Sequence, residues 1–566
     1  MRARAENGPL SVQAVAGAYV VILGIDMPDE QSSRGVLGFA IERIDHGNQR
    51  RDWLQGFKVF RRANLPGGVL VSTHEHPLQT FLWSDFTVRN GQEYTYRVVA
   101  MRGEPGALIE TENVEVRITA ENEDRDTHAI YFNRGVAGSQ AYTRKFGNRR
   151  PDEVPNREAW RWLSRGLFEV MVEFIGKARG SSNALRAAVY EFNQGAVLQA
   201  FAQARGSGAD VQIIYDARQI VNQENPNRSK LQPGEANRRA IAAAGLDAAC
   251  IPRTSDPRAI SHNKFIVLLE NGEPTQVWTG STNVTDGGIF GHSNVGHIVR
   301  DRSVAAKYLN YWEKLKTDPK MDRRADDDEL RPWNEERYPI PQGEPTDDIT
   351  VIFSPRRTLA GLEWYAQRME AATSAVFLTA AFGVNDLFEG VFAQPRDYLR
   401  YILLETEDKD MATLLRNRNN RIAVGNLLSG NNAFETWLQE QRLLSEHLTG
   451  LNTHVKYIHT KYLLLDPLGD KPVVITGSAN FSDASTRRND ENMLVIQGDK
   501  SVADIYLGEF MRLFKHFQFR AIAAAARNQL QEADSGFLEN SDGWRAPFYD
   551  PGTVQYKERQ YFSRAA

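Results

Sequence analysis

The sequence predicts an α/β protein of two similar lobes preceded by an all-β sandwich. Three observations carry that prediction: short strand-like runs fill roughly the first 120 residues, strands alternate with helices from Ile130 onward, and beyond residue 348 the same order begins again. Short alternating runs punctuated by Gly, Pro and Asn build sheets packed face to face, whereas strand–helix alternation builds layered α/β units. A repeat of this length is no solenoid and means two lobes packed together. At 566 residues the chain also exceeds one ordinary core. The division expected is a sandwich over 1–124, a first lobe over 125–322, a linker over 323–348 and a second lobe over 349–566.

In the first domain VLGFAIERI, GFKVFRRA, VLVST, FLWSDFTV and EYTYRVVAM read as strands. In YTYRVV, Tyr94, Tyr96 and Val98 fall on one face, with Thr95, Arg97 and Val99 on the other. The apolar run Ala14 to Ile25 reads as the first strand, since charges are scattered before it and no small-residue cleavage site follows. The acidic stretch Glu121 to Asp126 marks a boundary. In the first lobe AIYFN leads to one long amphipathic helix, REAWRWLSRGLFEVMVEFIGKA; then come LRAAVYEF, the helix GAVLQAFAQARG, DVQIIYDA and the helix ANRRAIAAAG. Trp160, Trp162 and Phe168 sit at helical spacing and read as core, not as a base-stacking platform. The stretch Arg323 to Asp348 mixes charge and proline as a linker does, and its triple Asp reads as solvated. In the second lobe TVIFSP matches AIYFN, LEWYAQRMEAA the long helix, SAVFLTAAFGVNDLFEGVF the next strand and helix, and YLRYILLE the strand DVQIIYD. LLRNRNNR, with Arg416, Arg418 and Arg421, reads as a solvated loop able to meet a polyanion or lipid headgroup.

Hydrophobic residues make up 41% and charged residues 25%, the balance of a soluble globular protein, and the formal charge of −4 excludes a global positive field that would collect polyanions. A local basic cleft is compatible with that balance. The single cysteine, Cys250, excludes an internal disulfide and a cysteine metal cage, and its apolar setting reads as a buried, inert thiol. No apolar run reaches the roughly 18 residues that a membrane span needs. A cytoplasmic location is the default expectation, with export lacking a signal peptide as the alternative.

The chemistry sits in a duplicated pair of motifs. ISHNKFIVLL carries His262 and Lys264, and QVWTGSTN follows with Gly280, Ser281 and Asn283; YIHTKYLLLD carries His459, Lys461 and Asp466, and VVITGSAN follows with Gly477, Ser478 and Asn480. In both copies His and Asn stand 21 residues apart, and Lys and Gly 16. A lone histidine near a strand is more often core or surface than catalyst; two coupled pairs at identical spacing in corresponding places of a repeat are a specific signal. His and Lys two apart on a strand share a face, and a Gly-Ser-x-Asn turn at the end of a neighbouring strand adds a hydroxyl and an amide. Two such clusters face to face offer imidazoles, ammonium groups, hydroxyls and amides without a carboxylate set for a metal, which is a receptor for a phosphoryl group. With one imidazole neutral and one protonated, a nucleophile and an acid are both present.

These residues resemble the phospholipase D superfamily, whose signature is H-x-K-x4-D followed by G-S/G-x-N, and the resemblance spans roughly Ile130 to Leu530. It implies a pseudo-twofold pair of lobes of mixed sheets and helices with both motifs at their interface. It also implies two-step, metal- and cofactor-independent phosphodiester cleavage through a phosphohistidine. Carried onto this chain, it makes His262 the nucleophile and His459 the general acid, with Lys264, Lys461, Asn283 and Asn480 on the non-bridging oxygens and Ser281 and Ser478 in support. WSDFTVRNGQEYTYRVVA resembles the later strands of a fibronectin type III domain.

Two departures stand out. Leu269 occupies the place where the second copy has Asp466, with Glu270 one residue late; an acidic group five residues past the lysine lies on the other strand face, so its role reads as structural support. Glu491 lies where the superfamily often has a carboxylate that orients a histidine, and its counterpart is Asn294. One histidine alone therefore gains such a partner, and the sequence leaves open which. His292 and His297 flank Asn294 and read as supporting or exposed. The substrate expected first is a phospholipid, through headgroup cleavage with peripheral membrane contact; the alternatives are a nuclease and a non-catalytic phosphate-binding scaffold. No oligomer is needed to form the site, because both halves lie on one chain.

Overall fold

A computed structural model describes residues 1–61, 70–135, 140–147, 149–218, 233–254, 259–321, 328–425, 457–528 and 537–564. The first domain is a sandwich of two four-stranded antiparallel sheets. One orders Arg2–Asn7, Leu10–Ala16, Val21–Asp26 and Leu82–Asp85; the other orders Ala107–Thr119, Glu93–Glu104, Gly38–Asp45 and Arg50–Trp53. Tyr94, Tyr96 and Val98 do share the inner face and are fully buried. The apolar run Ala14 to Ile25 is not one strand: it splits between Leu10–Ala16 and Val21–Asp26, which pair antiparallel across a tight turn.

Each lobe is built on a seven-stranded mixed sheet, and the two sheets have the same order. In the first lobe it runs His128–Phe132, Val295–Val299, Glu273–Gly280, Lys264–Glu270, Asn183–Val189, Asp210–Asp216, Cys250–Arg253. In the second it runs Ile349–Ser354, Glu491–Gln497, Val473–Gly477, Tyr462–Leu465, Ala375–Ala380, Leu399–Leu404, Asn420–Val424. In both, the last two pairings are parallel and the rest antiparallel. The outer face of each sheet has its own helical layer and core. The inner faces share one core, filled by the helices Arg302–Lys316 and Lys500–Asn528 and including Trp312, Phe353, Phe510 and Phe514. Burying such a side chain is worth about 2–3 kcal/mol, so the shared core holds the lobes in one fixed relation.

Several elements differ from the sequence reading. The long first-lobe helix is two, Glu158–Ser164 and Leu167–Gly176, broken where Arg165 and Gly166 take positive φ values of 47° and 91°. The break turns the Arg165 guanidinium inward to donate to the Phe132 carbonyl and to Glu509 of the second lobe, at 2.8 and 2.9 Å. The stretch read as a linker holds the helix Leu330–Arg337, whose Asn334 donates to the Pro355 carbonyl. Of its triple Asp, Asp328 pairs with Arg331, and Asp326 and Asp327 lie outside the described residues. Arg416 closes the helix Met411–Arg416 and Arg421 lies on a strand, paired with Glu558, so that run is not simply a loop. Trp160 and Phe168 pack on Phe290 in the first-lobe core. Cys250 is half-buried instead of buried, and its desolvation pushes the thiol up to about 12, which keeps it protonated and unreactive.

Beyond the longest helix the chain returns to the first domain. The helix Val554–Arg564 packs on strand Val21–Asp26, Arg559 pairs with Asp26 at 2.6 Å, and the Trp544 indole donates to the Val36 carbonyl. Among the described residues no helix is long and apolar enough to cross a membrane.

Candidate functional site

Register explains why the motif residues meet. The strand Lys264–Glu270 is the middle one of seven, pairing Lys264 with Val189 on one side, while its other neighbour ends at Gly280. His262, Lys264, Ser281 and Asn283 are thus gathered at one end of the sheet, as are His459, Lys461, Ser478 and Asn480 in the second lobe. Both glycines are needed there: a Cβ on Gly280 would stand 2.2 Å from the Val295 carbonyl oxygen, and one on Gly477 2.2 Å from that of Asn492. Between His and Lys, the alternating residue points away. Asn263 accepts from Asn492 at 2.8 Å, beneath the site.

The lobes join through the motifs themselves. Ser261 forms a bridge to Asp490 and Ser293 one to Ile458, with the His262 N–H donating to the Asp490 carbonyl and the His459 N–H to that of Ser293. Each histidine is then oriented by the opposite lobe. His262 Nδ1 lies 2.9 Å from Glu491 Oε2, and His459 Nδ1 lies 2.9 Å from Asn294 Oδ1. The question that the sequence leaves open is answered here: the carboxylate belongs to His262. Because each acceptor takes an Nδ1–H, both rings present Nε2 toward the cleft.

The motif hydroxyls turn to the groups that orient the histidines. Ser478 donates to Glu491 at 2.6 Å and Ser281 to Asn294 at 2.8 Å, and both serines are fully buried; they hold the groups that hold the histidines. Lys264 and Lys461 each donate to the carbonyl of their own histidine at 2.6 Å, leaving further N–H donors free. Asn283 donates to Glu191 at 2.5 Å, a second carboxylate in the site that the motif does not announce. Asp466 lies past the far end of its strand and accepts from the backbone of Thr373, Ser374 and Ala375, so it supports the strand and not the cleft.

Three side chains outside the motifs, Tyr190, Glu191 and His292, lie against the motif residues. The Tyr190 ring lies 5.1 Å from that of His262 and 5.4 Å from the Lys264 ammonium. His292 is buried, not exposed, with its ring 4.7 Å from that of His459 and its Nδ1 bonded to the Asn294 amide. His297 is also buried but away from the cleft, between His128 and the Tyr506 hydroxyl. Tyr190 and Glu191 carry no motif; what could have singled them out is their position at the carboxyl end of a central strand, where α/β sheets build their sites.

Electrostatically the site is a compressed set of bases. Burial pushes His262 down to about 4, with the Glu491 carboxylate working against it and the lysines with it. Burial likewise brings Lys264 down to about 8, while Lys461 and His459 are driven far below their ordinary values by burial and by the neighbouring cations. An arriving anion relieves that repulsion. Among the described residues the group with metal-binding spacing is elsewhere: Glu389, Asp408 and Asp410 of the second lobe, where burial and the neighbouring Asp408 raise Glu389 to about 7.

A repeated seven-stranded mixed sheet that brings one half-site from each lobe to a shared interface defines a two-lobed α/β protein, and both lobes carry sequence matching a phospholipase D-like domain. The family model that matches is described as "Cardiolipin synthase, PLD-like domain" and covers residues 171–316 and 394–514, one segment in each lobe. No curated protein matches the chain. Among solved structures, a polyphosphate kinase from Porphyromonas gingivalis is 11% identical over 60% of this chain, with a TM-score of 0.36, and the chain covers 46% of it, under half its length. Phosphatidylserine synthase from Haemophilus influenzae is 11% identical over 66% of this chain and 92% of that one, with a TM-score of 0.40. Yeast tyrosyl-DNA phosphodiesterase is 14% identical over 58% of this chain and 85% of that one, with a TM-score of 0.33. At these scores the likenesses carry no argument about substrate.

Proposed function

We propose that the chain is a metal-independent phosphodiester hydrolase that works through a phosphohistidine on His262. The observation that carries this reading is the unequal pairing of the two histidines, a carboxylate on His262 and an amide on His459. A carboxylate on Nδ1–H stabilises positive charge on the ring as Nε2 bonds to phosphorus; a neutral amide fixes the His459 tautomer without that stabilisation, leaving an acid more ready to give up its proton. In the first step His262 Nε2 attacks phosphorus, the bond to the leaving alcohol breaks, and His459 Nε2–H protonates that oxygen. In the second, water attacks phosphorus, His459 takes its proton, and the P–N bond breaks to restore His262. Lys264, Lys461, Asn283 and Asn480 hold the equatorial oxygens, where charge builds in both transition states. Burial and the neighbouring cations drive His459 low, and binding of the anionic substrate supplies the proton affinity that the first step requires.

The test is to quench a reaction with 32P-labelled bis-phosphodiester at alkaline pH, where a P–N bond survives. Label retained on wild type in the presence of EDTA, and absent from His262→Ala, is the expected result. Label retained on His262→Ala, or activity abolished by EDTA, would overturn the reading. Phospholipid and nucleic-acid phosphodiesters are the substrate classes it covers.

A further inference from the structure

Beside the motifs the two lobes add different residues, an anion in the first and a cation in the second. Counting back from the helix caps Gln194 and Asn385, the third residue is Glu191 in the first lobe and Phe382 in the second. Glu191 holds Asn283, whereas Phe382 is 64% exposed and Asn480 has no carboxylate partner among the described residues. The registers Phe132↔Val295 and Phe353↔Asn492 make Gly135 the counterpart of Arg356. Only the second lobe, then, places a cation at that point.

Arg356 is 2% exposed, yet its bonds go only to carbonyls: Nε to Phe353 at 2.9 Å and Nη2 to Tyr338 at 2.5 Å, with no carboxylate within ion-pair distance among the described residues. Among the described residues its Nη1 makes no hydrogen bond. The side chain lines a pocket, open to solvent, whose other polar walls include Asn480, Tyr365 and Ser485 and whose lining contains no acidic residue. Burying an unpaired guanidinium is expensive, and burial lowers its proton affinity. A pocket that sets a buried guanidinium beside Asn480, Ser485 and Tyr365, between apolar walls that include Leu362 and Phe481, and that shares Asn480 with the motif set, can receive an anion.

We propose that this pocket binds a second phosphate of the substrate, so that the enzyme favours phosphodiesters carrying another phosphate next to the scissile one. The proposal rests on the phosphodiesterase reading for the term "substrate", and the pocket itself can be tested without it. Two pairs of probes distinguish the source of the phosphate: p-nitrophenyl thymidine 5′-phosphate with and without a 3′-phosphate, and vesicles of phosphatidylglycerophosphate or phosphatidylglycerol. In at least one pair, wild type is expected to favour the two-phosphate member by about tenfold in kcat/KM, Arg356→Met to erase that ratio, and Arg356→Lys to restore part of it. Preference in the nucleotide pair marks a nucleic-acid substrate and preference in the vesicle pair a lipid. No preference in either pair, or an equal loss by Arg356→Met on both members, overturns the subsite. If wild type turns over none of the probes, the hydrolase reading falls and inorganic phosphate decides the pocket by calorimetry: two bound per wild-type chain and one per Arg356→Met chain uphold it, and equal stoichiometry overturns it.

Discussion

The two half-sites share a backbone and differ in what crosses between them. Gly280 and Gly477 meet the same carbonyl at the same distance, and Lys264 and Lys461 donate to the same position of their own motifs. What differs is borrowed from the other lobe or from the walls: Glu491 against Asn294, Tyr190 against Ala381, Glu191 against Phe382, Gly135 against Arg356. The two repeats keep the same glycine and lysine geometry, and the asymmetry of the site lies in a few residues around it. A symmetric receptor could bind a phosphodiester in either direction; under the proposed mechanism these differences set which oxygen leaves.

The sharpest way to break that comparison is to delete each histidine in turn. His262→Ala is expected to lose at least about 10⁴-fold in kcat on every phosphodiester, because nothing else forms the covalent bond. His459→Ala should lose about 10²- to 10⁴-fold on alkyl esters, whose leaving oxygen needs a proton. On p-nitrophenyl esters, which need none, it should give a rapid burst of one p-nitrophenol per chain and then slow turnover. A burst from His262→Ala instead would exchange the two roles.

Making the half-sites alike is the next test. Glu491→Gln gives both histidines an amide partner, and kcat/KM is expected to fall about 10- to 100-fold, the usual range for loss of a carboxylate that orients a working histidine. The pH profile separates this from simple damage. His262 attacks when neutral, so activity rises as pH climbs through about 4; Lys264 works when protonated, so activity falls as pH climbs through about 8. Glu491 raises both groups, so its removal should move both limbs to lower pH. A lowered plateau with unmoved limbs would reduce Glu491 to packing. Asn294→Asp, the reverse change, should slow alkyl-ester cleavage by holding the His459 proton more tightly.

How much of this was legible in the sequence follows from the range of each interaction. The motifs, the lobe order and the sandwich faces rest on spacing within one strand or one strand–helix unit, and spacing survives in a sequence. The pairing of His262 with Glu491 spans 229 residues and crosses the lobe boundary, so no local pattern contains it. Arg356 and Tyr190 lie at strand ends without a motif. The helix break at Arg165 was hidden because the apolar periodicity continues through it, while the bonds that hold it open go to Phe132 and Glu509. Ser281 and Ser478 are legible as supporting residues, but which groups they support is not, since a motif records which residues recur and not which way a hydroxyl turns.

The smallest expected effect concerns the other asymmetry, Asp466 against Leu269. Asp466 sits at a positive φ of 45° and accepts from three backbone N–H groups and the Thr373 and Ser374 hydroxyls, fixing the start of the strand Ala375–Ala380. In the first lobe Leu269 continues its strand opposite Ala184 and has no such cluster to satisfy. Burial works to raise the Asp466 carboxyl, but the donors outweigh it and hold it below its ordinary range. Its stabilising share is therefore complete above the usual carboxylate pKa and is lost as pH falls through the lower folded value. Asp466→Leu should cost about 2–3 kcal/mol by stranding those donors, read as a lower Tm at neutral pH, with the difference from wild type shrinking on acidification. Because Asp466 lies at the far end of the strand from Lys461, kcat of the folded variant should change less than about threefold, against the 10-fold or more expected at Glu491. A large loss of kcat at unchanged Tm would place Asp466 in the cleft and make the first lobe, which lacks it, the defective half.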